Sequence, residues 1–158
     1  METASTGGSG EGSASADEVW LDVDSVAEIE ITSEDPEHPI DSAIGKEEAG
    51  PGWHAANPGE QMIRICFLEP RKINQIRLVF EEDAAARTQE FVLRWAAEQE
   101  GERWDIGRKR YEFDPPHVVR EVEDYKVKLD GVKVLELSIT PSVEDEEAYA
   151  KLSELRLR

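Results

Sequence analysis

The chain has 158 residues, and its 36 acidic residues outnumber its 18 Lys and Arg to give a formal net charge of −18. Such a charge repels nucleic acid and anionic membranes unless the few basic side chains gather on one face, so we expect neither partner. Cys66 is the single cysteine, which excludes an intrachain disulfide, and the first residues lack the basic and apolar regions of a secretory signal. These features favour a cytoplasmic protein.

The N-terminal segment differs in composition from the rest of the chain. After Met1, residues 2–18 are only Gly, Ser, Ala, Thr, Asp and Glu. A segment of this kind buries too little apolar surface to offset the entropy of ordering it. We therefore predict a disordered tail over residues 1–18 and one folded domain over residues 19–158.

The remaining sequence shows the period-2 alternation of apolar and polar residues that is typical of half-buried strands. Candidate strands in chain order cover residues 19–23, 27–32, 61–67, 75–80, 91–95, 104–113, 125–129, 135–139 and 152–157. Asp130-Gly131 is a strong turn pair between two of them, and Gly107 indicates a bulge or a break. Helical signals are weak, one near residues 41–46 and one at 144–152. The pattern predicts an all-β sandwich or barrel.

Residues 61–80 supply the centre of this predicted core. Two alternating runs are separated by residues 69–72, where Pro70 cannot donate to a central ladder, so the chain should turn or cross over there. The apolar side chains on one face of each run are predicted to be buried: Ile65, Phe67, Ile76 and Leu78.

Several short motifs occur in an order that points to one family. They are IEITS at 29–33, ID at 40–41, GWHA at 52–55, E-P-x-x-I-x-x-I-x-L at 69–78, and LSELRL at 152–157. This order resembles the discoidin or coagulation-factor type C domain, a galactose-binding-like family. The resemblance implies a jelly-roll β-sandwich of about eight mainly antiparallel strands. Secreted members join their ends by a disulfide and carry aromatic membrane spikes. This sequence shows neither feature, so membrane binding is not expected.

The long loop over residues 33–59 is the leading candidate for a binding surface, because structureless loops of this length are uncommon unless they function. Trp53 is a candidate stacking platform, with His54 and Asn57 as hydrogen-bonding groups. Arg87 and Trp104 lie in or beside two other loops and are predicted to complete the wall. The alternative for Trp53 is core packing, as a plug at the end of the sandwich.

Acidic residues crowd the first part of the same loop. Glu37 and Asp41 are candidate calcium ligands, because hard cations bind several oxygen ligands. Asp41 also resembles the position of a calcium-binding loop in the family. Apart from calcium, no cofactor is expected. His38, His54 and His117 are too far apart in sequence to indicate a zinc site.

Catalytic signals are weak throughout. There is no nucleophile-elbow sequence, phosphate-binding glycine loop or close Cys/His pair. The basic run at 103–111 is better explained as a protected strand edge than as a nucleic-acid site. We therefore expect a monomeric, non-catalytic module that binds carbohydrate or another small polar ligand through loops at one end. The alternatives are a protein-protein interaction domain and, less well supported, a metal-dependent enzyme acting on glycosides.

Overall fold

The structure, a computed structural model, describes residues 19–44 and 51–158. The predicted tail, residues 1–18, lies outside the described residues, as do residues 45–50. The described strands are β1 (Ala27–Ile31), β2 (Trp53–His54), β3 (Gln61–Glu81), β4 (Arg87–Ala96), β5 (Trp104–Phe113), β6 (Arg120–Thr140), β7 (Lys151–Leu152) and β8 (Glu154–Leu157). A helical turn, α1 (Val23–Val26), precedes β1, and a 3-10 helix covers Ile40–Ser42. No helix in the described ranges has the length and apolar character needed to cross a membrane.

The strands form two layers, and all the ladders between named strands are antiparallel. One six-stranded sheet contains β1-β3-β6-β4-β5 in that order, with β8 on the second half of β3, and β2 and β7 form a separate two-stranded sheet. The long strands of the six-stranded sheet arch, so that this sheet contributes to both layers. The rings of Phe80 and Phe91, which come from β3 and β4, stack across the interior with centroids 5.3 Å apart. The predicted all-β sandwich of about eight mainly antiparallel strands is therefore confirmed.

The strand β3 belongs to both layers because it arches from one to the other. Its first half pairs with β1, where Ile31 lies opposite Ile63, and its second half pairs with β8, where Leu78 lies opposite Leu155. The register against β6 is irregular between Cys66 and Gln75, which is where the arch lies. The predicted crossover at residues 69–72 is confirmed, but the run remains one continuous strand.

The strand β6 follows β3 through the same arch. Arg71 pairs with Val132 and Ile73 with Leu129, so the segment around Gly131 lies beside the β3 arch. Gly131 has φ of 69°, a left-handed conformation that glycine adopts without a Cβ clash. The predicted turn at Asp130-Gly131 is therefore wrong, because the chain bends there without reversing against itself.

The two arches define the ends of the sandwich. The arch end contains residues 68–72 and 129–132 together with the β4–β5 connection, residues 97–103. The loop end contains the described parts of the segment between β1 and β3, residues 32–44 and 51–60, and residues 82–86, 114–119 and 141–150. Thr32 N–H donates to Met62 O, Glu82 N–H to Val119 O, and Val143 N–H to Thr88 O, so these segments meet at the loop end.

The interior is filled by the apolar faces of both layers. Ile65, Phe67, Ile76 and Leu78 are buried as predicted. Burying a large aliphatic or aromatic side chain contributes about 1.5–3 kcal/mol, so each of these positions stabilises the fold by about that amount. The alternation visible in the sequence is therefore the alternation between core and solvent.

Three local predictions need correction or refinement. Residues 19–22 are not a strand, and Val23 begins a helical turn with its side chain in the core. Residues 144–150 contain no helix. The closing strand is divided into β7 and β8 at Ser153, whose N–H donates to Val79 O at 2.8 Å. The bulge expected near Gly107 is present, because Leu93 pairs with Gly107 whereas Arg94 pairs with Asp105.

Candidate functional site

Two adjacent cavities open at the loop end, and we refer to them together as the groove. The first has a volume of about 360 Å³ and is bordered by the end of β3, Val119, β2 and β7. The second has a volume of about 330 Å³ and lies between the loop at residues 35–36 and the segment before β7. His54 and Lys151 line both cavities, so the two form one continuous feature.

Trp53 anchors the wall of the groove from inside the core. Its side chain is 0% exposed, and its indole N–H donates to Ser33 O at 3.1 Å. The Ser33 hydroxyl in turn accepts the N–H groups of Ala56 and Asn57 at 3.0 and 3.2 Å. The core-packing alternative is therefore confirmed for Trp53, and its prediction as a stacking platform is wrong because its ring faces are covered.

His54 is the predicted site residue that the structure places in the middle of the groove. Its ring stacks on that of His38 with centroids 3.8 Å apart and planes 6° from parallel. Desolvation lowers the pKa of His54, and the nearby His38 and Lys151 lower it further. A neutral imidazole has one donor and one acceptor nitrogen, so it can donate a hydrogen bond to a ligand hydroxyl or accept one from it.

Asp35 and His38 adjoin His54, although the sequence analysis did not select them for a site. The Asp35 Oδ2 and His38 Nδ1 atoms are 3.1 Å apart. The Glu37 N–H donates to Asp35 Oδ1 at 3.1 Å, and this bond, followed by the bond to His38, lowers the pKa of Asp35. The sequence does contain a signal for this contact. Asp-Pro-Glu-His at residues 35–38 favours an Asx turn, which brings the first and the last of these four residues close together.

Glu82 and Lys151 supply the charges of the first cavity. Burial favours the neutral form of Glu82, but hydrogen bonds from Arg87 and the Ala84 N–H, with the charge of Lys151, outweigh it and hold the pKa at about 2. The Lys151 ammonium donates to Glu82 Oε2 at 3.4 Å. The cavity therefore presents an ionised acceptor beside a cationic donor.

Arg87 lies beneath the groove and does not line it. Its guanidinium donates to Glu82 Oε1 at 2.7 Å and to Pro141 O at 2.6 Å. It thereby joins two loops of the loop end and orients Glu82. Arg87 was predicted to complete the wall of a binding surface, but a buried guanidinium with these partners cannot face a ligand.

Tyr149 is the exposed aromatic residue of the groove, and the sequence analysis did not select it. Its side chain is 49% exposed and lines the second cavity with His54 and Lys151. Its sequence neighbours do not indicate a site, because Tyr149 lies in the segment 144–152, where the only signal noted was weak helical periodicity. The exposed aromatic ring at the groove is therefore that of Tyr149 and not that of Trp53.

The remaining predicted residues do not converge on the groove. Trp104 pairs with Trp95 at the arch end, eight residues along β4 from Arg87, or about 26 Å at 3.3 Å per residue. Asn57 is exposed on the loop but lies outside the lining of both cavities. Asp41 is close enough to Asp24 in α1 to raise the pKa of that carboxyl, although less than burial does. Among the described residues, neither Asp41 nor Glu37 belongs to a cluster of potential metal ligands.

Comparisons with known proteins identify the fold. No family model matches the sequence, and no curated protein matches it. The structure resembles the family 32 carbohydrate-binding module of C. perfringens NanJ in complex with galactose, at 13% identity and a TM-score of 0.62 over 88% of this chain and 97% of that chain. It also resembles CBM32-3 from a family 31 glycoside hydrolase of Clostridium perfringens, at 16% identity and a TM-score of 0.63 over 92% and 98% of the two chains.

A third match is the CBM32 of AlyQ in complex with 4,5-unsaturated mannuronic acid, at 11% identity and a TM-score of 0.58 over 84% of this chain and 95% of that chain. Sequence identities this low establish the fold alone. The jelly-roll β-sandwich implied by the sequence resemblance is therefore confirmed, whereas membership of the galactose-binding-like discoidin family stays a prediction.

Proposed function

We propose that this domain is a non-catalytic module that binds a neutral carbohydrate in the groove at the loop end. The observation that carries the proposal is the half-exposed ring of Tyr149 standing beside the polar side chains of His54 and Lys151. The apolar face of a sugar ring stacks on an aromatic side chain while its hydroxyls bond to polar groups at the edge. The modules of the same fold that were solved with galactose or with an unsaturated mannuronic acid support a saccharide as the ligand.

The charges of the groove favour a neutral sugar over an acidic one. Lys151 is already paired with Glu82, and Glu81 and Asp83 border the same cavity. An added carboxylate would meet this local excess of negative charge as well as the net charge of −18 of the whole chain. Neighbouring hydroxyls, in contrast, can accept from Lys151 and donate to Glu82 at the same time.

The state of Glu82 supports binding without turnover. Glycoside hydrolysis uses two carboxyl groups, one of which must be protonated near neutral pH to act as the acid. Glu82 has a pKa of about 2 and is committed to Arg87, so it cannot fill that role. Glu81 and Asp83, which border the same cavity, are exposed to solvent.

A protein partner at the opposite end is the second candidate. Trp95 and Trp104 form a tilted pair with ring centroids 4.9 Å apart, and Trp104 is 42% exposed. Leu68, in the arch of β3, is also exposed. Exposed Trp and Leu side chains at one end of a domain are typical of protein contact surfaces.

The two candidates predict different binding surfaces. The full chain should be screened against a panel of neutral and acidic glycans, and hits should be titrated while amide shifts are recorded by NMR. Saturable shifts confined to residues 35–38, 53–56, 81–83 and 149–153 are expected for a neutral sugar. Shifts at Trp104 and Leu68 with a protein ligand, and none with any glycan, would overturn the carbohydrate proposal in favour of the second candidate.

A further inference from the structure

Asp35, His38 and His54 are held together by their backbones before any side-chain contact is considered. The Asp35 N–H donates to His54 O at 2.9 Å, the His54 N–H donates to His38 O at 3.1 Å, and the His38 N–H donates to Asp35 O at 2.8 Å. These three bonds form a closed cycle. The relative positions of the three Cα atoms are therefore fixed by interactions that do not depend on the side chains.

The side chains continue this convergence. One potential ligand atom from each of the three residues lies within 4.8 Å of the other two. The His38 Nδ1 atom is 3.1 Å from Asp35 Oδ2. The His38 and His54 rings stack face to face, so one ring would turn about its Cβ–Cγ bond to direct its nitrogen lone pair at an ion shared with the other. A tetrahedral ion with bonds of about 2.0–2.1 Å holds its ligand atoms about 3.3–3.4 Å apart, so the Asp35–His38 spacing already suits such an ion.

Asp35 is also oriented in the way that a ligating carboxylate usually is. Its Oδ1 atom accepts the Glu37 N–H, which fixes the plane of the carboxylate and leaves Oδ2 directed at His38. Hydrogen bonds of this kind from outside the coordination shell are a regular feature of metal sites. The positive charge nearest to the cluster, Lys151, is bonded to Glu82, so it opposes a bound cation only weakly.

We propose that Asp35, His38 and His54 form a binding site for a divalent transition-metal ion of the zinc class. Two imidazoles and one carboxylate are a common three-ligand set for such an ion, whereas calcium requires six to eight oxygen ligands. His54 lines both cavities, so the fourth coordination position faces the groove and is accessible to water or a ligand oxygen. The proposal does not depend on carbohydrate binding. It replaces the calcium site predicted at Glu37 and Asp41 with a different ion on different residues.

The test is a titration of the full chain, stripped of metal with EDTA, with Zn²⁺ as the probe. Calorimetry in a non-chelating buffer should show one ion per chain. Replacement of His38 or His54 by Ala, or of Asp35 by Asn, should weaken the affinity for Zn²⁺ by about 10-fold to 100-fold. Co²⁺ should give the intense visible absorption of a tetrahedral site in the wild type, and this absorption should be lost in His54→Ala.

Matched controls separate this site from general attraction of cations to an acidic surface. His117→Ala and Glu37→Gln remove an exposed histidine and an exposed acid that are outside the cluster, so both should bind Zn²⁺ as the wild type does. Asp35→Asn retains an oxygen for the Glu37 N–H, so its loss of affinity cannot be ascribed to loss of the turn. Unchanged affinity in His38→Ala and His54→Ala, or a preference for Ca²⁺ over Zn²⁺, would overturn the proposal.

Discussion

The guanidinium of Arg87 and the carboxylate of Glu82 form a hydrogen-bonded ion pair of 2.7 Å in which both side chains are only 5% exposed. The pair closes the connection between β3 and β4 at the base of the groove. Because water is excluded from it, removal of one partner leaves a charge that is poorly compensated. The ion pair therefore serves the stability of the loop end and the charge of the site together.

Replacement of Arg87 by Ala should lower the free energy of unfolding by about 3–5 kcal/mol, the usual cost of leaving a buried ion-pair partner alone. Urea denaturation at pH 7 measures this change. The matched control is Arg110→Ala, whose pair with Glu90 is largely exposed and should contribute less than about 1 kcal/mol. Equal effects of the two substitutions would contradict the central role of the Arg87 pair.

The same ion pair makes the free energy of unfolding depend on pH in the acid range. The pKa of Glu82 is about 2 in the folded protein against an ordinary value of 4.5. A lowered folded-state pKa contributes stability that is complete above 4.5 and is lost as the pH falls toward 2. Melting temperatures recorded from pH 6 to pH 2 should therefore fall less steeply in Glu82→Gln than in the wild type. Parallel curves for the two proteins would contradict the assignment.

Glu121 should produce the opposite pH dependence. Burial, assisted by the neighbouring carboxylate of Glu123, raises its pKa to about 8 from an ordinary value of 4.5. A raised folded-state pKa stabilises the protein fully below 4.5, and this stability is lost as the pH rises toward 8. The free energy of unfolding should fall by more than about 1 kcal/mol between pH 5 and pH 8, since one pKa unit corresponds to about 1.36 kcal/mol.

The variant Glu121→Gln should flatten this decline, because an amide carries no titrating proton. Glu112→Gln, at an exposed position of β5, is the control and should leave the slope as it is in the wild type. Chemical denaturation at closely spaced pH values gives the comparison. A wild-type curve that is flat between pH 5 and pH 8 would show that Glu121 is ionised in the fold.

Tyr149→Ala should reduce the affinity for a carbohydrate ligand at least 10-fold, because the ring supplies the stacking surface of the groove. Its melting temperature should be close to that of the wild type, since the side chain is half exposed. Tyr149→Phe retains the ring and should retain most of the affinity. Trp104→Ala, an equally drastic aromatic loss at the arch end, is the control. If Trp104→Ala abolished binding and Tyr149→Ala did not, the site would lie elsewhere.

The alternation of β3 can be tested with two adjacent substitutions. Phe67 is 1% exposed, so Phe67→Ala should cost about 3–5 kcal/mol in unfolding free energy. Leu68 is 55% exposed, so Leu68→Ala should change the free energy of unfolding by no more than about 0.5 kcal/mol. Thermal denaturation of both variants suffices, and similar melting temperatures would mean that the register of the strand is different.

The strands were predictable from the sequence because the period-2 pattern directly records which face is buried. Ile65 and Leu78 are in the core for this reason. The arches of β3 and β6 were harder to predict, because Pro70 and the Asp130-Gly131 pair signal a change of direction without specifying which strand lies alongside. Pairings in the structure, such as that of Arg71 with Val132, show that both strands bend together.

The groove lies beside part of the loop in which a binding surface was predicted, but few of the predicted residues line it. Described residues of loop 33–59 border the groove, and His54 lines both of its cavities. Trp53 was misassigned as a platform because a tryptophan in a Gly/Pro-rich loop has the same local sequence whether it points inward or outward. Tyr149 is almost 100 residues from His54 in the sequence, and local patterns carry no information about a contact that tertiary folding creates.

The shared course of β3 and β6 has a consequence for how the molecule opens. Since β3 and β6 each run through both layers, neither layer can separate without breaking backbone hydrogen bonds in the other. Amide hydrogen exchange in both strands should therefore occur through one cooperative unit, at the rate of global unfolding. The segments of the loop end, which are joined by short ladders and single hydrogen bonds and not by long continuous ladders, should exchange earlier. The groove would then adjust to a ligand while the framework beneath it stays closed.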